Sequence, residues 1–279
     1  MQGPATASGA PSILPVEVRE MVEAATRILN KPAWVDLGTS DPAAAREFYA
    51  KVFGWKVEVN PDPQYGGYGL AKVDGQDAAG IGGTMSPEQP TAWSVYIGTD
   101  DIEDMSMRVT EAGGAVAASA FDVGDQGRMA VFQDPTGAFI SAWQGARMGG
   151  FATDGANSFG WAELNARGAD KALPFYKQVF GWDPKAVGTP DQPYTEFQLG
   201  GTSIAGATEI NPMVPAEVPS YWQVYFTVDD VDASHAAAVG AGARELLAPM
   251  DFPGGRMSIL SDPQGASFGL MRMAETPGS

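Results

Sequence analysis

The sequence predicts an α+β protein of two tandem domains, each built from two β-α-β-β-β modules, behind an N-terminal helix. The first observation is a gapless internal match: "WVDLGTSDPAAAREFYAKVFGW" (34–55) recurs as "WAELNARGADKALPFYKQVFGW" (161–182), an offset of 161 − 34 = 127 residues. The second is its partner downstream, where "GRMAVFQDPTGAFISAW" (127–143) recurs as "GRMSILSDPQGASFGLM" (255–271). The third is that each copy runs strand, helix, strands twice over. A period of roughly 60 residues is too long for a solenoid and suits paired modules.

Taken in order, "MQGPATASGA" is a tail, and "PVEVREMVEAATRILN" spaces Val18, Met21, Val22, Ala25, Ile28 and Leu29 as an amphipathic helix. This segment, 1–31, is expected to dock on a domain or on a partner subunit. Domain one (32–147) opens with the alternating strand "AWVDLGT" and an Asp-capped helix, "DPAAAREFYAKVFG", stopped by Gly54. Strands "KVEVN", "YGLAKV" and "AAGIGG" follow between turn residues. The second module repeats this with "WSVYIGT", the helix "DIEDMSMRVTEAG", and strands in "AVAASAFDV", "RMAVFQD" and "AFISAW". A Gly-rich linker (148–157) leads to domain two (158–279). The aromatics of "FYAKVFGW" and "FYKQVFGW" end a helix in each copy, where they seat it on the sheet. Trp55 and Trp182 follow the helix-ending glycine, a place that also suits the edge of a pocket.

With 17 basic and 34 acidic residues the net charge is 17 − 34 = −17. Such a surface repels phosphate backbones and anionic lipid, which argues against nucleic-acid and membrane partners. No apolar run approaches the roughly 20 residues that span a bilayer, and no secretory signal is visible. The absence of cysteine removes disulfides, thiolate catalysis and zinc–sulfur sites. A cytoplasmic protein is the default expectation.

The pattern "FY..vFGW" followed by "GR...f.DP.GA" resembles the vicinal oxygen chelate superfamily, which includes glyoxalase I, bleomycin-resistance proteins and extradiol dioxygenases. The resemblance is to its tandem two-domain actinobacterial branch of glyoxalase-like "hydroxylases" and covers roughly residues 32–275. It implies that paired modules curl into a half-open eight-stranded barrel whose concave face holds the ligand. Metal-using members place His and Glu ligands in the opening and last strands of the modules. Those positions fall here on Trp34 and Trp161, on Ser94 and Gln223, and on Ser141 and Gly269. None is a good ligand. The single histidine, His235, sits in a predicted helix and is expected to face solvent. No metal and no cofactor are expected.

Strand alternation then fills the concave face. If Trp34 points inward, so does Asp36; Glu163 joins Trp161 by the same count. Ser94 with Tyr96, and Gln223 with Tyr225, share the inner face. The last strands add Phe139, Ser141 and Trp143 in domain one, and Ser267, Gly269 and Met271 in domain two. A carboxylate among aromatics in a partly dry cup should have a raised pKa. The expected catalytic groups are therefore Asp36, Tyr96, Glu163 and Tyr225. The expected substrate-binding groups are Trp34, Ser94, Phe139, Ser141, Trp143, Trp161, Gln223 and Met271. The competing expectation is architectural: the carboxylates bond to backbone amides or to Arg128 and Arg256 of the paired "GRM" segments.

The function expected is a metal-independent enzyme of secondary metabolism, working on an aromatic or polyketide-like substrate by acid–base cyclisation, dehydration or isomerisation. The alternative is a non-catalytic protein that sequesters a drug or metabolite, as bleomycin-resistance members do. The partner is an apolar or aromatic small molecule, with a homodimer as the protein–protein option. The richer aromatic content of its last strand favours domain one as the working pocket.

Overall fold

Among the described residues there are sixteen strands, with four α-helices packed against them. In domain one these are β1 (Pro32–Thr39), α1 (Pro42–Phe53), β2 (Lys56–Val59), β3 (Gly69–Val73), β4 (Gln76–Gly83), β5 (Ala92–Gly98), α2 (Ile102–Glu111), β6 (Ala115–Val123), β7 (Gly127–Gln133) and β8 (Phe139–Gly145). Domain two repeats the order with β9 (Phe159–Ala166), α3 (Ala169–Phe180), β10 (Asp183–Ala186), β11 (Tyr194–Leu199), β12 (Thr202–Glu209), β13 (Tyr221–Thr227), α4 (Val231–Gly240), β14 (Arg244–Phe252), β15 (Gly255–Ser261) and β16 (Ser267–Met273). The computed structural model describes residues 28–146, 151–153, 155–189, 193–212 and 214–274. The N-terminal tail and nearly all of the expected amphipathic helix lie outside the described residues.

Helix boundaries follow local chemistry. Asp41 caps α1 by accepting from the Ala44 amide at 3.0 Å, and Gly54 ends it with φ 68°. Asp101 and Asp230 cap α2 and α4 in the same way. The cap of α3 comes from elsewhere: Gly168 has no side chain to offer, and the Glu209 carboxylate at the end of β12 accepts from the Gly168 and Ala169 amides at 2.8–3.0 Å. A carboxylate there also suits the positive end of the helix.

Each domain forms one eight-stranded sheet, ordered β2-β3-β4-β1-β5-β8-β7-β6 and β10-β11-β12-β9-β13-β16-β15-β14. Val35 and Leu37 of β1 face the helices and the main core; Trp34 faces the other way and packs with Tyr96 and Trp143. Leu70 of β3 and Val123 of β6, from opposite wings of the sheet, both reach that second cluster. They can do so only if the sheet curls around it. The Tyr65 hydroxyl also meets Asp125 at 3.3 Å across the gap between the wings. In domain one the wings of the half-open barrel thus meet over its helix-free face.

The repeated aromatic motif binds the domains to each other. The Tyr49 hydroxyl on α1 donates to Asp262 of domain two at 3.0 Å, and the Tyr176 hydroxyl on α3 donates to Asp134 of domain one at 2.7 Å. Trp93 and Trp222 donate in turn to those tyrosines at 3.0 and 2.9 Å. Phe53 packs on Phe226 and Phe268 of the other domain. Trp55 donates to the Asn157 carbonyl at 2.7 Å, and Trp182 to the Asn30 carbonyl at 2.6 Å. Both indoles are fully enclosed, so neither edges a pocket. Asn30 and Asn157 precede the opening strands with φ 54° and 63°, a conformation asparagine tolerates better than most residues.

Two further expectations are corrected. His235 is buried, not solvent-facing: its alanine-rich helix, α4, lies close against β14, and the imidazole meets Glu245 at 2.9 Å. Arg128 and Arg256 do not reach the inner carboxylates. Alternation puts Met129 and Met257 inward and these arginines on the helix side, where Arg128 pairs with Glu103 and Asp122, and Arg256 with Asp232 and Asp251.

Candidate active site

In the first cup, β1 is central, and its register sets Asp36 between Gly80 of β4 and Ser94 of β5, with Trp34 beside Tyr96. Tyr68, just before β3, folds across β4 to reach Asp36. It can do so because residue 80 is glycine: a Cβ there would stand 1.7 Å from the Tyr68 oxygen. Tyr68 and Tyr96 both donate to Asp36 Oδ2, at 3.2 and 3.1 Å, and the Trp34 indole donates to the Tyr68 oxygen at 3.0 Å. Burial pushes the Asp36 carboxyl up from 3.8 to about 6, while the two phenol hydrogen bonds hold it from going higher. The phenols are raised well above their ordinary range by burial and by the Asp36 charge, so they remain donors. Ser141 hydrogen-bonds Tyr96 from β8.

The second cup repeats the arrangement with altered parts. Glu163 Oε1 accepts from Tyr225 at 3.3 Å and from the Asn165 amide at 3.1 Å, and Tyr194 bonds the same carboxylate. The Trp161 indole donates to Tyr194 at 2.9 Å. Gly206 makes the room, since a Cβ there would lie 1.9 Å from the Tyr194 oxygen. Burial raises the Glu163 carboxyl against these three hydrogen bonds. Gly269 stands where the first cup has Ser141, and the Tyr225 ring occupies the vacated space.

Most of the expected residues converge. Trp34, Asp36, Tyr96, Ser141 and Trp143 line the first cup, with Ser94 half-buried beside Asp36. Trp161, Glu163, Tyr225 and Met271 line the second. Gln223 is buried with its amide already engaged, accepting from Ser267 at 2.7 Å and donating to the Val224 carbonyl at 3.0 Å. Phe139 is 57% exposed at the start of β8 and does not join the aromatic cluster. The aromatics that favoured domain one fill its cup themselves: Trp34, Tyr96 and Trp143 pack together under Leu70, Met129 and Phe151.

Sequence reasoning missed Tyr68, Tyr194 and Asn165. The tyrosines had a signal, recurring at an offset of 194 − 68 = 126 with a glycine in the following strand of each copy. The shallow groove between α2 and β6, lined by Glu103, Met107 and Val116, lies on the helix side and away from both carboxylates.

A resident divalent metal needs several nitrogen or oxygen donors aimed at one point. The positions at which the resemblance implies ligands in metal-using members hold Trp34, Ser94 and Ser141 in one cup and Trp161, Gln223 and Gly269 in the other. Two of these six are indoles that donate to tyrosines, one is a glycine, and Gln223 has its amide spent internally. Among the described residues no three His, Cys, Asp or Glu side chains converge. The residues present do not fit the metal.

Fold, duplicated modules and cups define a vicinal-oxygen-chelate protein, and residues 31–141 and 158–270 both match the Glyoxalase/Bleomycin resistance protein/Dioxygenase superfamily. The chain belongs to that family. CFP32 of Mycobacterium bovis, whose glyoxylase label is provisional, is 40% identical over 250 residues, covering 87% of this chain and 95% of that protein. The anthracycline biosynthesis protein DnrV of Streptomyces peucetius is 36% identical over 259 residues, covering 88% and 94%. Among solved structures, the 2,3-dioxygenase LapB from Pseudomonas sp. KL28 superposes with a TM-score of 0.64 at 14% identity, covering 91% of this chain and 95% of that one. The Mn(II)-bound glyoxalase from Novosphingobium aromaticivorans gives 0.62 at 15% identity, covering 87% and 82%. These structural likenesses establish the fold alone.

Proposed function

We propose that the protein is an acid–base enzyme of secondary metabolism that binds a polycyclic aromatic or polyketide-like substrate in a cup and rearranges it without a metal. The observation that carries this reading is the carboxylate of each cup, embedded among aromatics, raised in pKa and flanked by two tyrosine hydroxyls. In its charged form the carboxylate takes a proton from an acidified C–H or O–H of the substrate. A tyrosine hydroxyl stabilises the negative oxygen that develops. Returning the proton at another atom isomerises the substrate; returning it to a departing hydroxyl releases water. Neither outcome changes the oxidation state of the whole. Kinship with a protein named for anthracycline biosynthesis supports a fused-ring substrate.

The test is mass spectrometry of a producing-strain extract before and after incubation with the purified protein. The expected result is loss of one compound and appearance of an isomer or a minus-water product. Asp36→Asn or Glu163→Gln, whichever marks the working cup, should lower turnover by about 100-fold or more while changing affinity little. A compound that co-purifies and returns unchanged would favour sequestration instead. The aromatic side chains of the cups would support that role as well. An oxygenated product that depends on added metal would overturn the proposal.

A further inference from the structure

The two cups share a plan but differ in what occupies them. In the first, Trp143 leans over Gly127 and packs on Trp34 and Tyr96, and these three aromatics are at most 9% exposed. Phe151 meets Trp34 edge-on at 5.7 Å. A guest in that cup would have to displace rings that already satisfy one another.

In the second cup the corresponding wall is wholly methionine: Met257 keeps the place of Met129, while Met250 stands where the first cup has Phe121. Register places Met271 opposite Met257, and Met257 opposite Met250, on one row of the inner face. Met271 takes the place of Trp143, and Met273 that of Gly145. Met250 and Met273 are 41% and 56% exposed, an unusual state for apolar side chains on the inside of a curled sheet. Trp161 is half-buried where Trp34 is fully enclosed. Methionine has three rotatable bonds and a polarizable sulfur that favours aromatic rings, so such a wall moulds itself to a flat guest. A rigid indole fills space; a methionine yields it.

We infer that the second cup is the binding cup, that its guest is a planar fused-ring phenol or enol lying between Trp161 and the Met250–Met257–Met271–Met273 wall, and that the first cup is occupied by the protein's own aromatics. This rests on the proposed concave-face site and deepens it. The hydroxyl specifies the orientation: it is the group that Glu163, with Tyr194 and Tyr225 beside it, can hydrogen-bond at the cup floor. The ring system then covers the methionines. Glu163 is on this view the catalytic carboxylate, and Asp36 belongs to a scaffold.

Methionine oxidation reads this directly on the whole unmodified chain. The protein is exposed to hydrogen peroxide with and without 1,8-dihydroxyanthraquinone as the probe, and sulfoxide is quantified by peptide mass spectrometry. Bound probe should slow oxidation of Met250 and Met273 by about fivefold. Met107, exposed in the groove between α2 and β6 on the helix side, should be unaffected. Isothermal titration of Met271→Trp, which installs the first cup's plug, should show affinity reduced by about tenfold. Trp143→Met should change affinity less than twofold, and circular dichroism checks both variants for folding.

Protection at Met129 in place of Met250, or binding lost in Trp143→Met and kept in Met271→Trp, would overturn the cup assignment and leave the proposed chemistry standing. No binding of the probe would overturn the guest class, while the extract assay judges the chemistry separately. Protection at Met250 and Met273 with no turnover of any extract component would uphold the binding cup and its guest class, and would sink the enzymatic reading together with the catalytic role of Glu163.

Discussion

Asp36 folds into a place where its charge is poorly solvated, and the consequence can be measured. Its carboxyl stands at about 6 in the native protein against 3.8 in the unfolded chain. Between those values the native state holds the extra proton, so this residue's contribution to stability falls as pH rises through the window. Asp36→Asn removes that loss and keeps an oxygen to accept from Tyr68 and Tyr96. The variant should gain up to about 3 kcal/mol over the parent near neutral pH, and the gain should vanish at about pH 4. Urea denaturation at the two pH values checks it. A variant less stable than the parent at both would make the charged carboxylate a pillar of the cup. At this scale alternation was enough to turn Asp36 and Glu163 inward, because both lie mid-strand. It was left unapplied at Tyr68, which opens the predicted strand "YGLAKV" and shares the inward face of Leu70, and it could not show that Phe139, the first residue of β8, is left uncovered. The arginines were misassigned for a different reason, since alternation from Met129 and Met257 already turned them towards the helices.

Helices α1 and α3 show what duplication conserves and what it releases. Their shared aromatics were legible as helix-seating groups from spacing alone. Their reach into the opposite domain was not, because a periodic pattern reports which face is buried and nothing about what buries it. The caps have diverged. Asp41 serves α1 locally, while α3 depends on Glu209, 41 residues from Gly168. Tyr49 is the more exacting element. Its hydroxyl accepts from Trp93 and donates to Asp262, which is already held by the Gln264 and Ala266 amides. Tyr49→Phe leaves the ring packing intact but strands an indole N–H and removes one donor from a carboxylate. Chemical denaturation should show a loss of about 1–3 kcal/mol. A change below a few tenths would mean that water replaces the hydroxyl, and the polar crossing would then be incidental.

At the scale of the whole molecule the two domains lock by exchange, each giving the other a tyrosine hydroxyl, while Trp55 and Trp182 donate to the segments that lead into the opening strands, at Asn157 and Asn30. The main core runs unbroken through both domains, from Trp93 to Phe226 and from Phe53 to Phe268. Separate domains would expose Tyr49, Phe53, Trp55 and their counterparts together, and burying a side chain of that size is worth about 1.5–3 kcal/mol each. Several such groups on each side exceed a typical fraction of total domain stability. The two copies should therefore unfold as one unit, although their sequences describe two domains with a linker between them. Calorimetry should give a single transition whose calorimetric and van't Hoff enthalpies agree for the full chain. Tyr49→Phe combined with Tyr176→Phe tests the coupling further. If the domains are one cooperative unit, the double variant lowers the single melting temperature without splitting the peak. Two peaks, in the parent or in the double variant, would show that each cup has its own stability and that the crossed tyrosines only fix its orientation.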